Sequence, residues 1–508
     1  MSSLPSTAVI GIIGAGAMGS GIAQVAATAG HEVLLFDVVA SAAEKGIEGI
    51  GRLLERQVAK GKMPEKNKQQ ILDRLQPCSS LQDFAGSDLV IEAIVEDLDK
   101  KQELFSALEK IVRPDCVLAT NTSSLSITAI GSSLKHSDRF VGMHFFNPAV
   151  LMALVEVVSG LGTSKEVAQK VSDTAEKWGK IPVHAKSTPG FIVNRVARPF
   201  YAEGLRILEE GGADVPTIDS VLREAGGFRM GAFELMDLIG HDVNFAVTCS
   251  VYKAYFYDPR FLPSLIQQEM VSAGYLGRKS SRGFYVYGED TQLSVPSTAE
   301  PVSFSHEVVV EGSLGVAEGL IDRIEKSGIK IKRQNQYITN GGLVVGPATL
   351  RLTDGRMATQ CAAEEGYENL VLFDLALDYS NASRIAIVPA DQCSDEAFNV
   401  AIGFFQELGM QVSILDDCPG LIVMRTVAML ANESADAVNQ NVCSAAAVDT
   451  AMLKGVNYPK GPLAWADSIG PDHVLRVLDN LAATYGEDRY RASVLLRRKA
   501  YSGRMLND

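Results

Sequence analysis

An α/β protein is predicted: a doubly wound sheet domain, then an all-helical domain, then a degenerate second copy of the same pair. Three observations predict it. Residues 8 to 37, AVIGIIGAGAMGSGIAQVAATAGHEVLLFD, run buried strand, glycine turn, helix, strand, acid. From Pro189 to about residue 286 the apolar spacing is helical throughout. Residues 419–470 lie over 189–240 without a gap, with 11 identities in 52 positions and a constant offset of 230.

Size and composition set the outer limits. A chain of 508 residues is longer than one hydrophobic core organises. An apolar share of 46% and a charged share of 21% are those of an ordinary folded protein. The first thirty residues carry no charge, yet no basic residue precedes the apolar run and glycine recurs through it, so neither a signal peptide nor a membrane span is expected. Seven cysteines are scattered without a C-x-x-C pair, which argues against a zinc site or a disulfide framework and for a reducing, cytoplasmic setting. The net charge of −14 repels nucleic acids and anionic membranes, so an anionic ligand needs a local exception. Residues 51–68 supply one, with six basic side chains against Glu55 and Glu65. Arg52, Arg56 and Lys60 recur every fourth residue on a helix whose Ile47, Ile50, Leu54 and Val58 face inward; without context such a stripe is a solvated face.

In the opening unit Gly14, Gly16 and Gly19 form G-x-G-x-x-G between strand and helix, and Asp37 closes the second strand. The glycines permit a tight turn, approach of a pyrophosphate to backbone N–H groups, and close helix-on-strand packing. The helix N-terminus favours the phosphate charge. Asp37 would accept from ribose hydroxyls and repel a 2′-phosphate, and no arginine adjoins it, so NAD is favoured over NADP. The runs LVIEAI (89–94) and CVLATN (116–121) continue the strand–helix alternation. Thr188-Pro189-Gly190 reads as a cap and helix start, opening FIVNRVARPFYAEGLRILEEGG. The expected domains are a sheet domain over 1–188, a helical domain over 189–287, a linker over 288–305, a degenerate sheet domain over 306–417 without the glycine fingerprint, and a second helical domain over 418–508.

The duplication serves as an internal control, because packing residues should keep their character in both copies and chemical residues need not. Val141, Val155 and Val193 lie opposite Val371, Ile385 and Val423. His144, Asn147, Glu156 and Asn194 instead lie opposite Asp374, Leu377, Ala386 and Met424, so the framework is expected to tolerate their loss. RFVGMHFF and LVEVV read as short strands joined by a brief loop, letting the imidazole and carboxylate meet. A carboxylate on one ring nitrogen fixes the tautomer and leaves the other to accept a proton; the bland alternative is a buried structural pair.

The runs NTSSLSIT (121–128), GMHFFNP, LVEVV, TPGFIVNR and GYLGRKSSRGFY (274–285) resemble the (S)-3-hydroxyacyl-CoA dehydrogenases almost continuously over residues 8–287. The long form with a degenerate second copy is similar to bacterial 3-hydroxyadipyl-CoA and 3-hydroxybutyryl-CoA dehydrogenases of aromatic-acid catabolism. The resemblance implies oxidation of a 3-hydroxyacyl thioester with NAD, His144 as base, Glu156 as its partner, and Ser123 and Asn194 on the substrate oxygens. It places Glu96, Lys101, Asn121 and Asn147 along the cofactor, and Arg56 and Lys60 on coenzyme A, with Arg56 standing where the short members carry lysine. Where the family often has G-Y-P-M-G this chain reads GGFRMGAF, and Arg229 is a candidate for a distal carboxylate on the substrate. A homo-oligomer stays open, as does the second copy's replacing the helical-domain contact between subunits. Two other classes compete. A 6-phosphogluconate or 3-hydroxyisobutyrate dehydrogenase would carry a lysine in FIVNRVARPF, which has none. A non-catalytic NAD-binding scaffold would not need the chemical groups that the first copy retains.

Overall fold

The computed structural model describes residues 3–39, 41–288, 294–334 and 341–508. By contacts the chain forms two compact units, Met1–Arg195 with Gln440–Val456, and Val196–Asn439 with Asn457–Asp508. These are not the sequence blocks, since a segment of the second copy belongs with the first sheet.

The first unit holds an eight-stranded sheet in the order β3-β2-β1-β4-β5-β6-β7-β8. Its strands are β1 Val9–Ile13, β2 Glu32–Phe36, β3 Leu75–Pro77, β4 Leu89–Glu92, β5 Val117–Thr120, β6 Phe140–Phe145, β7 Leu154–Ser159 and β8 Ile181–Lys186. The first six run parallel; β7 turns back antiparallel to β6, and β8 is parallel to β7. β1, β4, β5 and β6 are almost wholly buried, as apolar parallel strands covered on both faces must be. Helices Ala17–Thr28 and Ala42–Ala59 pack on the sheet, the latter through Ile50 and Leu54, as its apolar spacing predicts.

The second unit carries a seven-stranded mixed sheet, β10-β9-β11-β12-β13-β14-β15. Its strands are β9 Val308–Glu311, β10 Ile331–Gln334, β11 Gly342–Val345, β12 Ala348–Leu352, β13 Leu370–Phe373, β14 Arg384–Pro389 and β15 Gln411–Ile414. β12 to β15 repeat the directions of β5 to β8, parallel, antiparallel, parallel. In place of the dinucleotide-type half stand β9 with parallel β10, and β11 antiparallel to both of its neighbours. The reduction therefore falls on the half that carried the glycine fingerprint. Of the expected linker, residues 289–293 lie outside the described residues; 294–302 run without regular structure.

One sequence expectation needs correction. The helix does not start at Pro189. Residues 189–192 form a turn with Gly190 and Phe191 in left-handed backbone (φ 73° and 46°), and helix begins at Val193. The second copy repeats this at Gly420 and Leu421 (φ 75° and 54°) before Val423. In the first copy the helix also breaks at Ala197, between Val193–Val196 and Arg198–Glu209, whereas Val423–Asn439 is continuous. Pro199, opposite Met429, accounts for the break because it lacks the N–H an uninterrupted helix would use.

Candidate active site

β6 and β7 pair antiparallel with His144 directly opposite Glu156. His144 Nδ1 lies 2.6 Å from Glu156 Oε2, with the His144 side chain 7% exposed and that of Glu156 1%. Glu156 Oε1 accepts from the backbone N–H groups of Ile192 and Val193 at 3.0 and 2.9 Å. These are orphan donors of the turn and helix start described above, so the carboxylate both holds the ring and satisfies a helix N-terminus. Phe146 and Phe191 pack against the imidazole, with ring centroids 4.5 and 5.9 Å away. With Nδ1–H donated to Glu156, Nε2 is left as an acceptor. That is the arrangement of a general base with an orienting carboxylate.

The second copy shows which part of this the framework demands. Asp374, at His144's offset, accepts from Ile422 and Val423 through Oδ2 at 3.0 and 2.7 Å, and from Met424 and Leu375 through Oδ1 at 2.9 and 2.8 Å. Burial pushes its carboxyl up to about 6, against the downward pull of these four N–H donors. Ile422 and Val423 are the counterparts of Ile192 and Val193. The expectation that the framework tolerates loss of Glu156 is therefore corrected: Ala386 at its offset is harmless because Asp374 has taken over its capping bonds.

Around the pair, Asn121 Oδ1 accepts from Phe145 N at 2.8 Å, tying the end of β5 to the end of β6. Asn194, half-buried, directs Nδ2 toward the Ser123 carbonyl at 3.4 Å. Ser123 sits in a turn gathered by Glu96, whose Oε1 accepts from Thr122 Oγ1 (2.5 Å), Ser123 N (3.1 Å), Ser124 N (3.1 Å) and Ser124 Oγ (2.8 Å). Burial works to raise the Glu96 pKa, but the Thr122 hydroxyl, the Lys101 charge and the Ser124 hydroxyl outweigh it and hold the group below the usual carboxylate range. Lys101 is fully buried, 2.5 Å from Glu92 and 3.3 Å from Glu96. Its influence on a ligand therefore passes through Glu96. Asn147 is exposed at the cis Asn147-Pro148 bond just beyond β6.

The glycine turn fits a dinucleotide. A Cβ at Gly14 would stand 2.5 Å from the Ala93 carbonyl oxygen, and one at Gly19 1.7 Å from that of Gly14, so both are required by packing. At Gly16 a Cβ would meet nothing within 4 Å; that open lane lies at the N-terminus of helix Ala17–Thr28, where a pyrophosphate is stabilised. Asp37 Oδ2 accepts from Ala15 N at 2.8 Å, which fixes the acid beside the turn. Arg56 lies in the last turn of the helix Ala42–Ala59 and Lys60 caps it; both are exposed. Arg229 is exposed in the second unit, following Gly227 (φ 69°).

Sequence reasoning missed the buried supports. Glu92 accepts from Lys101, from Ile94 N at 2.7 Å and from Thr120 Oγ1 at 2.7 Å, clamping the ends of β4 and β5 together. An acid inside the apolar run LVIEAI was its signal. Lys180, with 8% of its surface exposed, donates to the carbonyls of Ala149 and Met152 at 2.6 and 2.8 Å and pins the loop after His144. Nothing in the sequence announced that.

Comparison with known proteins decides the family. Residues 9–188 match the 3-hydroxyacyl-CoA dehydrogenase NAD-binding domain, 190–287 and 420–507 its C-terminal domain, and 350–419 the reduced Rossmann-fold domain of 3-hydroxybutyryl-CoA dehydrogenase. The chain belongs to the 3-hydroxyacyl-CoA dehydrogenase family. It is 43% identical over 491 residues to the 3-hydroxyadipyl-CoA dehydrogenase of Escherichia coli K12, covering 97% of each chain. A crystal structure of 3-hydroxybutyryl-CoA dehydrogenase from E. coli K12 superposes with a TM-score of 0.89 at 42% identity, covering 98% of this chain and 99% of that one. The probable 3-hydroxybutyryl-CoA dehydrogenase of Deinococcus radiodurans is 42% identical over 54% of this chain and 99% of its own. As a family member the chain is an NAD-dependent dehydrogenase with a Rossmann-type domain, a helical domain and a partial second copy. No described helix is long and apolar enough to cross a membrane.

Proposed function

We propose that the chain oxidises (S)-3-hydroxyacyl-CoA thioesters to 3-oxoacyl-CoA, with His144 as general base, and that its physiological acyl group carries a distal carboxylate. The observation that carries the first part is the 2.6 Å bond between His144 Nδ1 and a Glu156 carboxylate that is itself anchored by two backbone N–H groups. Nδ1 is engaged, so the C3 hydroxyl proton goes to Nε2, and Glu156 stabilises the imidazolium that forms. NAD, when bound, supplies the hydride acceptor for C3. Ser123 and Asn194 orient the substrate oxygens, and the Glu96–Lys101–Glu92 network holds the Ser123 turn in place during the reaction. Gly14, Gly16, Gly19 and Asp37 hold the dinucleotide, with Glu96, Asn121 and Asn147 toward its nicotinamide end and Lys101 acting on it through Glu96. Arg56 and Lys60 offer exposed cations to the coenzyme A phosphates, the local exception that a chain of net charge −14 needs. Positioned base catalysis of this kind contributes about 10²–10⁴-fold.

For the acyl group, the E. coli relative that spans nearly the whole chain is named for 3-hydroxyadipyl-CoA, and Arg229 stands opposite Pro459 of the second copy. Arg229 is assigned to the distal carboxylate. A panel of 3-hydroxyacyl thioesters differing in length and terminal charge, followed by NADH absorbance, tests both parts. The reading requires activity with 3-hydroxybutyryl-CoA as well, and a KM for the adipyl substrate that rises in Arg229→Met far more than the butyryl KM. Equal changes would remove the role of Arg229, and no NADH formation with any member would remove the reaction. The seven free thiols support a reducing, cytoplasmic setting. The segment Gln440–Val456, seated in the first unit, supports the view that the second copy takes the place of a partner subunit's helical domain.

A further inference from the structure

β8 is the last strand of the first sheet, and only alternate residues of it face β7. Ile181 N donates to Ala153 O at 2.8 Å and Ser187 N to Ser159 O at 2.9 Å, so the Pro182 carbonyl and the His184 backbone face away from the sheet. Lys186 also faces away, and its N–H donates to Val442 O at 2.8 Å. Between this edge and the helix Ala445–Gly455 runs a groove of about 1300 Å³, floored by Pro182, Val183 and Ala185 and flanked by Lys165, His184 and Lys186. No acidic side chain lines it.

The second unit builds the same groove with the copies exchanged. Asp416 N donates to Gly212 O at 3.1 Å, both residues being 230 positions from Lys186 and Val442, and the helix Val215–Glu224 takes the place of Ala445–Gly455. There the groove is filled by the chain's own linker. Ala299 N donates to Val412 O at 2.8 Å, Ser413 Oγ to Ser297 O at 3.1 Å, and Ser297 N to Thr217 Oγ1 at 2.8 Å. Gln406 clamps the linker from its far side, accepting from Val302 N at 2.8 Å and donating to the Glu300 carbonyl at 3.0 Å. Val412 is the counterpart of Pro182, so β8 presents outward the carbonyl that on β15 receives the linker.

We propose that the groove along β8 is a docking site for an extended acidic peptide of a partner protein. The peptide lies extended along the sheet edge, as the linker does along β15, donating its N–H to the Pro182 carbonyl and placing carboxylates beside Lys165 and Lys186. Main-chain bonds to an open edge and small side chains over the floor are how sheet edges recognise peptides. The basic flank sets the charge of the occupant, and the linker mould, SVPSTAEPVS over 294–303, sets its composition of small, hydroxyl and proline residues with an acid.

The probe is a fluorescein-labelled synthetic peptide of that sequence, titrated into the full-length protein and followed by anisotropy. Saturable binding is expected, weakened about tenfold or more when Ala446→Trp fills the groove and several-fold when Lys186→Glu reverses its flank. A Glu300→Lys peptide should bind more weakly than the parent. Both protein variants change exposed positions, so thermal midpoint and NADH turnover should match the wild type. Absence of saturable binding, or an affinity unaffected by both variants, as when the peptide exchanges with the linker on β15, would overturn the proposal.

Discussion

The two copies solve one problem in two ways. In each, a turn in left-handed backbone delivers two buried N–H groups, of Ile192 and Val193 or of Ile422 and Val423, that need a carboxylate. The first copy supplies it from β7 as Glu156. The second supplies it one strand over, as Asp374 after β13, where the first copy has His144. A carboxylate at this place is a requirement of the fold; the imidazole is not. Setting the carboxylate back on β7 leaves room for a ring beside it, and under the proposed mechanism this difference separates the catalytic copy from the structural one.

Substitutions can break this comparison, beginning with the largest effect. Glu156→Ala should lose on both counts: turnover falls by about 10²–10⁴-fold, and stability falls by about 1–3 kcal/mol for each of the two orphaned donors. Asp374→Ala should lose on one count only. Four N–H groups are orphaned, so chemical denaturation should show a loss at least as large as that of Glu156→Ala, while turnover per folded molecule and KM stay at wild-type values. If Asp374→Ala impairs catalysis in the folded fraction, the assignment of the second copy as structural is wrong.

The glycines sharpen the contrast between packing and binding. Gly19→Ala should destabilise the protein even without ligand, since its Cβ would strike the Gly14 carbonyl. Gly16→Ala has open space and should leave the ligand-free melting temperature unchanged, but weaken NAD binding by about tenfold through the lost close approach to phosphate. Calorimetric titration with NAD beside a melting curve separates the two.

The smallest effect concerns acid. Glu96 has its folded-state pKa held below the unfolded value, so its ionised bonds contribute stability above the usual carboxylate pKa, lost as pH falls through the lower folded value. Glu96→Gln should therefore differ most from wild type in thermal midpoint at neutral pH and converge with it in acid. A gap independent of pH would contradict that assignment.

Much of this was legible in the sequence. G-x-G-x-x-G between apolar strand runs, with Asp37 at its proper distance, gave the first sheet and its dinucleotide end because those residues meet local backbone demands. The offset of 230 gave the second copy, and the loss of its phosphate turn was visible in HEVVVEGSLGVAEGL. The pairing of His144 with Glu156 could be read because two short strands with a brief loop leave few registers. What could not be read depends on long-range placement. The transfer of the capping bonds to Asp374, the burial of Lys101 between Glu92 and Glu96, and the Lys180 clamp join residues whose proximity only the folded sheet creates. Pro189 misled because its cap-like context was local, while the left-handed turn at Gly190 and Phe191 serves a carboxylate on the neighbouring strand β7.

The most direct test is turnover measured beside the thermal midpoint in His144→Gln, which keeps roughly the ring's volume and a donor for Glu156 but removes the proton-accepting nitrogen. NADH formation from a 3-hydroxyacyl thioester should fall by about 10²–10⁴-fold, with the midpoint and NAD affinity close to wild type. Turnover within a few-fold of wild type in a folded variant that still binds NAD would show that the imidazole is not the base.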